Sequence, residues 1–276
     1  MSLLARRTWP TMGTQVSLMM ASSADIDEAV RIAADVLDSL DTRFSSYRPD
    51  SELRAFDAGA LETPSRDLQH VLAACAWLSQ VSDGVFTTQA ATPERGTIDV
   101  AGYVKGWAVD RAADGLDLAG ITDYCLGVGG DWRCHGRHPD GRPWRMAILD
   151  PRTRQGPRAL ADIGTNAMAT SGTYERGHHL VGLHHTPLAP APHGSATASF
   201  TVVGPRLAWA DAFATIGFLQ GDEGLTWVAQ FAGYHAAIIR GDGSMVADAE
   251  FPLAAGSVPH FASPATLAPA AGWCGI

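Results

Sequence analysis

The chain has 276 residues, 46% hydrophobic and 18% charged, a composition that fills a core and excludes general disorder. Its 20 Lys and Arg stand against 29 Asp and Glu, a formal charge of -9. No broad basic face is therefore expected for nucleic acid or an anionic membrane, and an anionic ligand needs a local constellation.

The start, Met1 to Pro10, carries Arg6 and Arg7 but leads into no uninterrupted apolar run and no small-residue cleavage site. The expected compartment is the cytoplasm, or the periplasm if a leader has been removed. No stretch approaches the roughly 18 apolar residues of a membrane span. From Ser23 to Leu40, Ile26, Ala29, Ala33, Val36, Leu37 and Leu40 fall at helical spacing, with Asp25 and Glu28 at the start, where the helix dipole favours carboxylates. Arg43 to Glu52 reads as a polar loop. Thr63-Pro64 offers an N-cap and first-position proline to a second helix, in which Leu68, Val71, Leu72, Cys75 and Leu78 share a face and Gly84 lies past the end. A third helix is predicted from about Val104 to Leu118, with Gly120 as its stop.

Thereafter the pattern turns to strands: Tyr124–Val128, Trp144–Leu149, Ala167–Thr170 and Phe200–Val203, each bounded by Gly, Pro or Asp. A helix over Leu207–Leu219 and a hairpin strand His235–Arg240 with the turn Gly241-Asp242-Gly243 complete the series. Thr186 to His193 is a Pro/Ala-rich loop. Without a strict βαβ rhythm, the order favours an α+β fold, one compact unit over residues 1–253 followed by an Ala/Pro-rich tail, 254–276. Cys75, Cys125, Cys134 and Cys274 show no CxxC or zinc-ribbon spacing and read as buried or incidental thiols of a reducing compartment.

Chemistry-bearing residues gather at element ends. Asp99-Val100-Ala101-Gly102-Tyr103-Val104-Lys105-Gly106 sets an acid, small residues and a lysine at a helix start, where unpaired N–H groups and a point charge suit phosphate. A capped helix with a surface lysine is the plainer reading of the same residues. Gly127-Val128-Gly129-Gly130-Asp131 lets backbone pass close to a ligand, or makes a simple turn. Ala169 to Glu175 places hydroxyls, a glycine and an acid at another strand end. In the predicted last helix Asp211 and Thr215 stand four apart on one face, an oxygen pair suited to Mg²⁺, or a buried acid bonded to a neighbouring hydroxyl.

Taken in order, these segments resemble the FAD:protein FMN transferase family, the ApbE-like flavin transferases. The resemblance runs through Met12-Gly13-Thr14, Phe44 to Glu52, Asp99 to Asp110, Gly129-Gly130-Asp131, Pro139 to Trp144, Asp150-Pro151-Arg152, Thr170 to Glu175 and Ala210 to Thr215. It implies an ApbE-like, T-fold-related mixed sheet core with packed helices that binds FAD. It also implies Mg²⁺-dependent transfer of FMN to a Thr or Ser hydroxyl of a partner protein bearing a Ser/Thr-Gly-Ala-Ser/Thr-type motif, with AMP released; some relatives instead hydrolyse FAD. By position, Asp211 and Thr215 match metal ligands, with a backbone carbonyl near Val104 as a third. Met12, Tyr47, Ser51, Glu52, Lys105, Gly129, Gly130, Asp131, Ser171 and Tyr174 match positions around the flavin nucleotide, and His179 takes the place of the base, beside Asp211 as a catalytic residue.

This chain departs from the family pattern in two places. Gly182 and Leu183 follow His179 where the family carries Asp-Pro, which removes support from a general base. Between Phe86 and Asp99 the chain is shorter, with Thr87 in an acidic place. A flavin-binding protein without turnover is the third reading. His178, His179, His184 and His185 also allow a transition-metal reading, while Trp132 and Trp144 read as core rather than as flavin-stacking rings. The oligomeric state has no sequence signal.

Overall fold

Two strands that hydropathy alone does not announce open the chain in this computed structural model, β1 (Ala5–Thr11) and β2 (Thr14–Met20). The structure describes residues 4–22, 25–90, 96–152, 156–172, 197–257 and 260–261. The two strands form a hairpin closed by Met12 and Gly13 at φ +52° and +69°, the pair of positive angles that a tight two-residue hairpin demands. β1 is largely exposed and polar, so it carries no alternation to read.

Helix α1 (Ile26–Phe44) follows, burying Ile26, Ala29, Ala33, Leu37, Leu40 and Phe44. The segment read as loop, Arg43 to Glu52, begins in the last turn of α1 and ends at the first residue of a short helix, α2 (Glu52–Asp57), capped by Ser51. Helix α3 (Arg66–Val81) begins two residues later than the Thr63-Pro64 signal, because the Ser65 side chain accepts the Leu68 N–H and is the N-cap. Helix α4 (Ala101–Leu118) starts three residues earlier than the spacing predicts. Asp99 Oδ1 accepts the Ala101 N–H at 3.0 Å, so the acid sets the helix start.

The strands β3 (Tyr124–Val128), β4 (Asp131–His135), β5 (Arg145–Leu149), β6 (Pro157–Asp162), β7 (Ala167–Gly172) and β8 (Thr197–Gly204) come next. Helices α5 (Leu207–Gln220) and α6 (Asp222–Val228) and strands β9 (His235–Arg240), β10 (Met245–Ala247) and β11 (His260–Phe261) finish the order. Among the described residues, nine strands form one sheet in the order β1-β2-β3-β4-β7-β8-β9-β10-β11, antiparallel except for β10 with β11. The β5–β6 hairpin stands apart as a second, two-stranded sheet.

Both faces of the large sheet are covered, which explains strands that read as continuous apolar runs. Successive residues of β9 divide between two cores: Ala236 and Ile238 face the helices, Ala237 and Ile239 the β5–β6 side. Trp144 belongs to the second core with Met146, Ile148 and Phe251, and the Trp132 ring lies over Gly127, where a Cβ would come within 2.5 Å of it. The predicted tail begins inside the fold: Ala254 is buried, its N–H is donated to Leu160 O, and Ser257 Oγ accepts the Leu160 N–H. Among the described residues no helix is long and apolar enough to cross a membrane.

The reading of the cysteines as thiols holds for Cys75 and needs correction at Cys125 and Cys134, while Cys274 lies outside the described residues. Cys125 and Cys134 lie directly opposite each other on β3 and β4 and are joined by a disulfide, while Cys75 is a buried free thiol with its pKa pushed up to about 12 by burial. Spacing gave no hint, because a nine-residue separation becomes a contact only through hairpin pairing. Cys134→Ser is expected to lose about 2–3 kcal/mol of stability, the loop-closure contribution for so short a loop. Reduction of the parent should have the same effect in urea unfolding followed with and without dithiothreitol; equal midpoints would show that the bond does not constrain the chain.

Candidate active site

The site forms where α4 and α5 cross beside the ends of β4 and β7. At Gly106 on α4 a Cβ would lie 2.6 Å from Leu207 O and 2.8 Å from the Ala208 Cα, so only glycine lets α4 and α5 approach this closely. The contact places Lys105 of α4 against Asp211 of α5, with Nζ to Oδ1 3.4 Å. Helix α5 is apolar around most of its girth, so Asp211, a buried acid in that setting, requires compensation.

A second acid arrives from the sheet. Gly129 and Gly130, at φ +58° and +95°, turn β3 into β4 in two residues and deliver Asp131 to Lys105 Nζ, with which it makes a direct ion pair. The other Asp131 oxygen accepts the Thr170 N–H at 3.0 Å, so β7 fixes the carboxylate. Ser171, next along β7, shares a 3.1 Å hydrogen bond with Thr215 Oγ1, one turn beyond Asp211. Lys105, Asp131, Ser171, Asp211 and Thr215 are thus brought into one cluster from α4, β4, β7 and α5. Val104 lies in the first turn of α4 with its side chain buried.

The Met12-Gly13 turn adjoins this end of the sheet. Gly129 N–H is donated to Gln15 O at 3.2 Å, and a Cβ on Gly129 would meet Thr14 Oγ1 at 3.2 Å. Met12, in the left-handed region that side chains rarely adopt, packs against the main core. An open groove of about 570 Å³ runs along the turn, lined by Pro10, Thr11, Gly13, Thr14 and Gln15.

Tyr47, Ser51 and Glu52 lie between α1 and α2: the Tyr47 N–H is donated to Ser45 Oγ, and Glu52 pairs with Arg43 of α1. Glu52 accepts from Arg43 Nε at 3.2 Å and from the Ser65 N–H at 2.8 Å, and these partners hold its carboxyl below the usual range against the opposing effect of burial. Ser51 caps α2 and donates to Ser45 O. Tyr47 is 73% exposed. Tyr174 and His179 lie outside the described residues, as do His178, His184, His185 and the Pro/Ala-rich loop.

Four charged residues that the motifs do not single out, Asp110, Asp114, Arg133 and Arg206, bind α4 to the start of α5 and to β4. Asp110 accepts the Leu207 and Ala208 N–H groups at 3.0 and 2.9 Å, and Arg133 and Arg206 approach it at 3.5 and 3.7 Å. Arg206 also grips Asp114 through two hydrogen bonds of 2.8 and 2.9 Å. Burial pushes the Asp110 carboxyl upward, and Arg206 and the two N–H groups oppose it. An acid inside the apolar face of a predicted helix was the available signal.

The donor set fits a hard cation. Asp211 and Thr215 offer carboxylate and hydroxyl oxygen, with Ser171 Oγ adjoining. Among the described residues there is no group of three or more His, Cys, Asp or Glu able to hold a metal, so ligand, backbone and water oxygens would complete the shell.

Glycine turns and a lysine set between two carboxylates thus stand at one end of the mixed sheet of an α+β protein. The chain belongs to the ApbE family, whose model matches residues 12–93 and 87–239. A curated FAD:protein FMN transferase of Haemophilus influenzae is 27% identical over 256 residues, covering 71% of this chain and 73% of the relative. One of Vibrio cholerae is 34% identical over 131 residues, covering 46% of this chain and only 39% of that protein's length. The solved flavin transferase ApbE from Vibrio cholerae superposes with a TM-score of 0.75 at 23% identity, over 90% of this chain and 99% of that one. The ApbE protein of Thermotoga maritima gives 0.73 at 20%, over 88% and 96%.

Proposed function

We propose that this protein is a Mg²⁺-dependent FAD:protein FMN transferase. The observation that carries the reading is the Lys105–Asp131–Asp211 cluster with Thr215 and Ser171 beside it, in a chain whose curated relatives bear that name. In this reading Asp211 and Thr215, with the Val104 carbonyl, hold the metal. Mg²⁺ bound there would neutralise charge on the pyrophosphate oxygens.

Lys105 and the Gly129-Gly130-Asp131 turn position the nucleotide, and Met12, Tyr47, Ser51, Glu52, Ser171 and Tyr174 surround it. The acceptor hydroxyl oxygen bonds to the FMN phosphorus, its proton passes to His179, and the bridging oxygen leaves with AMP. The acceptor is a partner protein with a Ser/Thr-Gly-Ala-Ser/Thr-type motif. Of the two compartments the sequence allows, the Cys125–Cys134 bond supports the oxidising one, the periplasm.

A second reading is hydrolysis of FAD to FMN and AMP by water; a third, flavin binding without turnover, is favoured by Gly182 and Leu183 in place of the family's Asp-Pro, which take support from His179. One assay separates the three: FAD and Mg²⁺ with and without an acceptor peptide bearing the motif, resolving AMP, free FMN and peptide-bound FMN. Peptide-bound FMN is the expected product. Free FMN with AMP alone would establish the hydrolase, and FAD binding without turnover would remove both and leave the third. In the same assay His179→Ala should reduce transfer by about a hundredfold or more while FAD binding is retained, as loss of a general base does; equal transfer would exclude His179 from that role.

A further inference from the structure

Lys105 is the only lysine in the chain; every other basic residue counted with it is arginine. It sits with its side chain 14% exposed between two carboxylates that are 2% and 10% exposed. One cation therefore serves two acids where water does little to screen them. Its two contacts differ in quality. Asp131 is held from both sides, by Lys105 and by the Thr170 N–H, whereas the approach to Asp211 is a looser 3.4 Å. A compact ammonium on a flexible stem can leave one acid while keeping the other, which a rigid guanidinium fork does less readily.

We propose that Lys105 is the built-in counter-cation of this site: without metal it neutralises Asp211, and it gives up that carboxylate when a divalent cation binds. This rests on the metal reading of Asp211 and Thr215 above. The lysine and the metal then compete for one carboxylate, so metal binding to the ligand-free protein is opposed from within. The ammonium, still anchored on Asp131, becomes available to an incoming phosphate. Metal and pyrophosphate ligand would consequently favour each other's binding, each relieving the charge the other meets.

The test uses Mn²⁺ as the probe, titrated into the whole chain without nucleotide and followed by electron paramagnetic resonance. Lys105→Met should bind Mn²⁺ at least about tenfold more tightly than the parent, because a partly buried ion pair to a ligand oxygen has been removed. Lys105→Arg should bind Mn²⁺ more weakly than the parent, because the guanidinium fork leaves Asp211 less readily. Equal or weaker binding by a folded Lys105→Met protein overturns the proposal and leaves the metal reading standing. No Mn²⁺ binding by either protein overturns the metal reading together with it.

A second measurement needs no variant of the lysine. Feeding ¹³C-lysine labels a single side chain, and its Cε signal should shift as Mg²⁺ saturates the protein. The shift should disappear in Asp211→Asn. A signal unmoved while Mg²⁺ displaces bound Mn²⁺ would show that Lys105 does not yield to the metal.

Discussion

Asp211→Asn is expected to lower Mg²⁺-stimulated FAD turnover by at least about a hundredfold, while the protein keeps its circular dichroism and its melting temperature within a few degrees. The substitution preserves shape in a well-packed helix and removes one formal charge. That charge lies within 3.4 Å of Lys105 and one turn from Thr215, so its loss deprives a hard cation of the strongest donor in the set. The fold should tolerate it, because an amide of the same shape costs less to bury than a carboxylate and Lys105 keeps Asp131 as a partner. Raising Mg²⁺ should recover part of the activity if affinity alone has fallen. Unchanged turnover at limiting Mg²⁺ would take the metal away from Asp211 and leave the residue as a partner of Lys105 only.

Asp110→Ala is expected to destabilise the protein by about 3–5 kcal/mol, the range for removing one partner of a buried charge network. For a chain of this size that corresponds to a fall of roughly 10 °C in melting temperature. The carboxylate accepts the Leu207 and Ala208 N–H groups, two donors at the start of α5 that have no partner within the helix, and faces Arg133 and Arg206. Its removal leaves those donors and guanidinium groups without their shared acid. Because the same contact sets where α5 begins against α4, turnover should fall with stability, and FAD binding should weaken less than turnover. Asp110→Asn should recover part of both, since an amide oxygen can accept one of the two N–H groups. A melting temperature unchanged in Asp110→Ala would mean that the Arg206–Asp114 pair holds the two helices together alone.

The helices were legible wherever one face is buried and the other is wet. Ile26 through Leu40 and Leu68 through Leu78 carry that contrast in their spacing, and the structure places both runs against the main core. Tyr124–Val128 and His235–Arg240 were legible for another reason: glycine-rich turns bound short apolar runs. The strands β1, β4 and β6 were not, because β1 is an exposed edge and the other two mix polar and apolar residues whose sides are set by partners far along the chain. Helix ends moved by a turn or less where a cap competed with the apolar pattern, as Ser65 did with Thr63 and Asp99 with Val104.

By itself the sequence determined an acidic, α+β chain with the ApbE motifs in order, with Lys105 and Asp131 beside glycines near element ends and Asp211 and Thr215 one turn apart on an alanine-rich helix. Residue types and local spacing suffice for that, since periodicity, turn chemistry and motif order are properties of neighbours. Only the tertiary structure decided that these residues share one cluster, that Glu52 and Ser65 are engaged around Arg43, that Asp110 fastens α5, and that Cys125 and Cys134 are bonded. Each of these is a contact between segments that come together through sheet pairing and helix packing, and the relative depth of two packed helices or the register of two strands is fixed by the whole core.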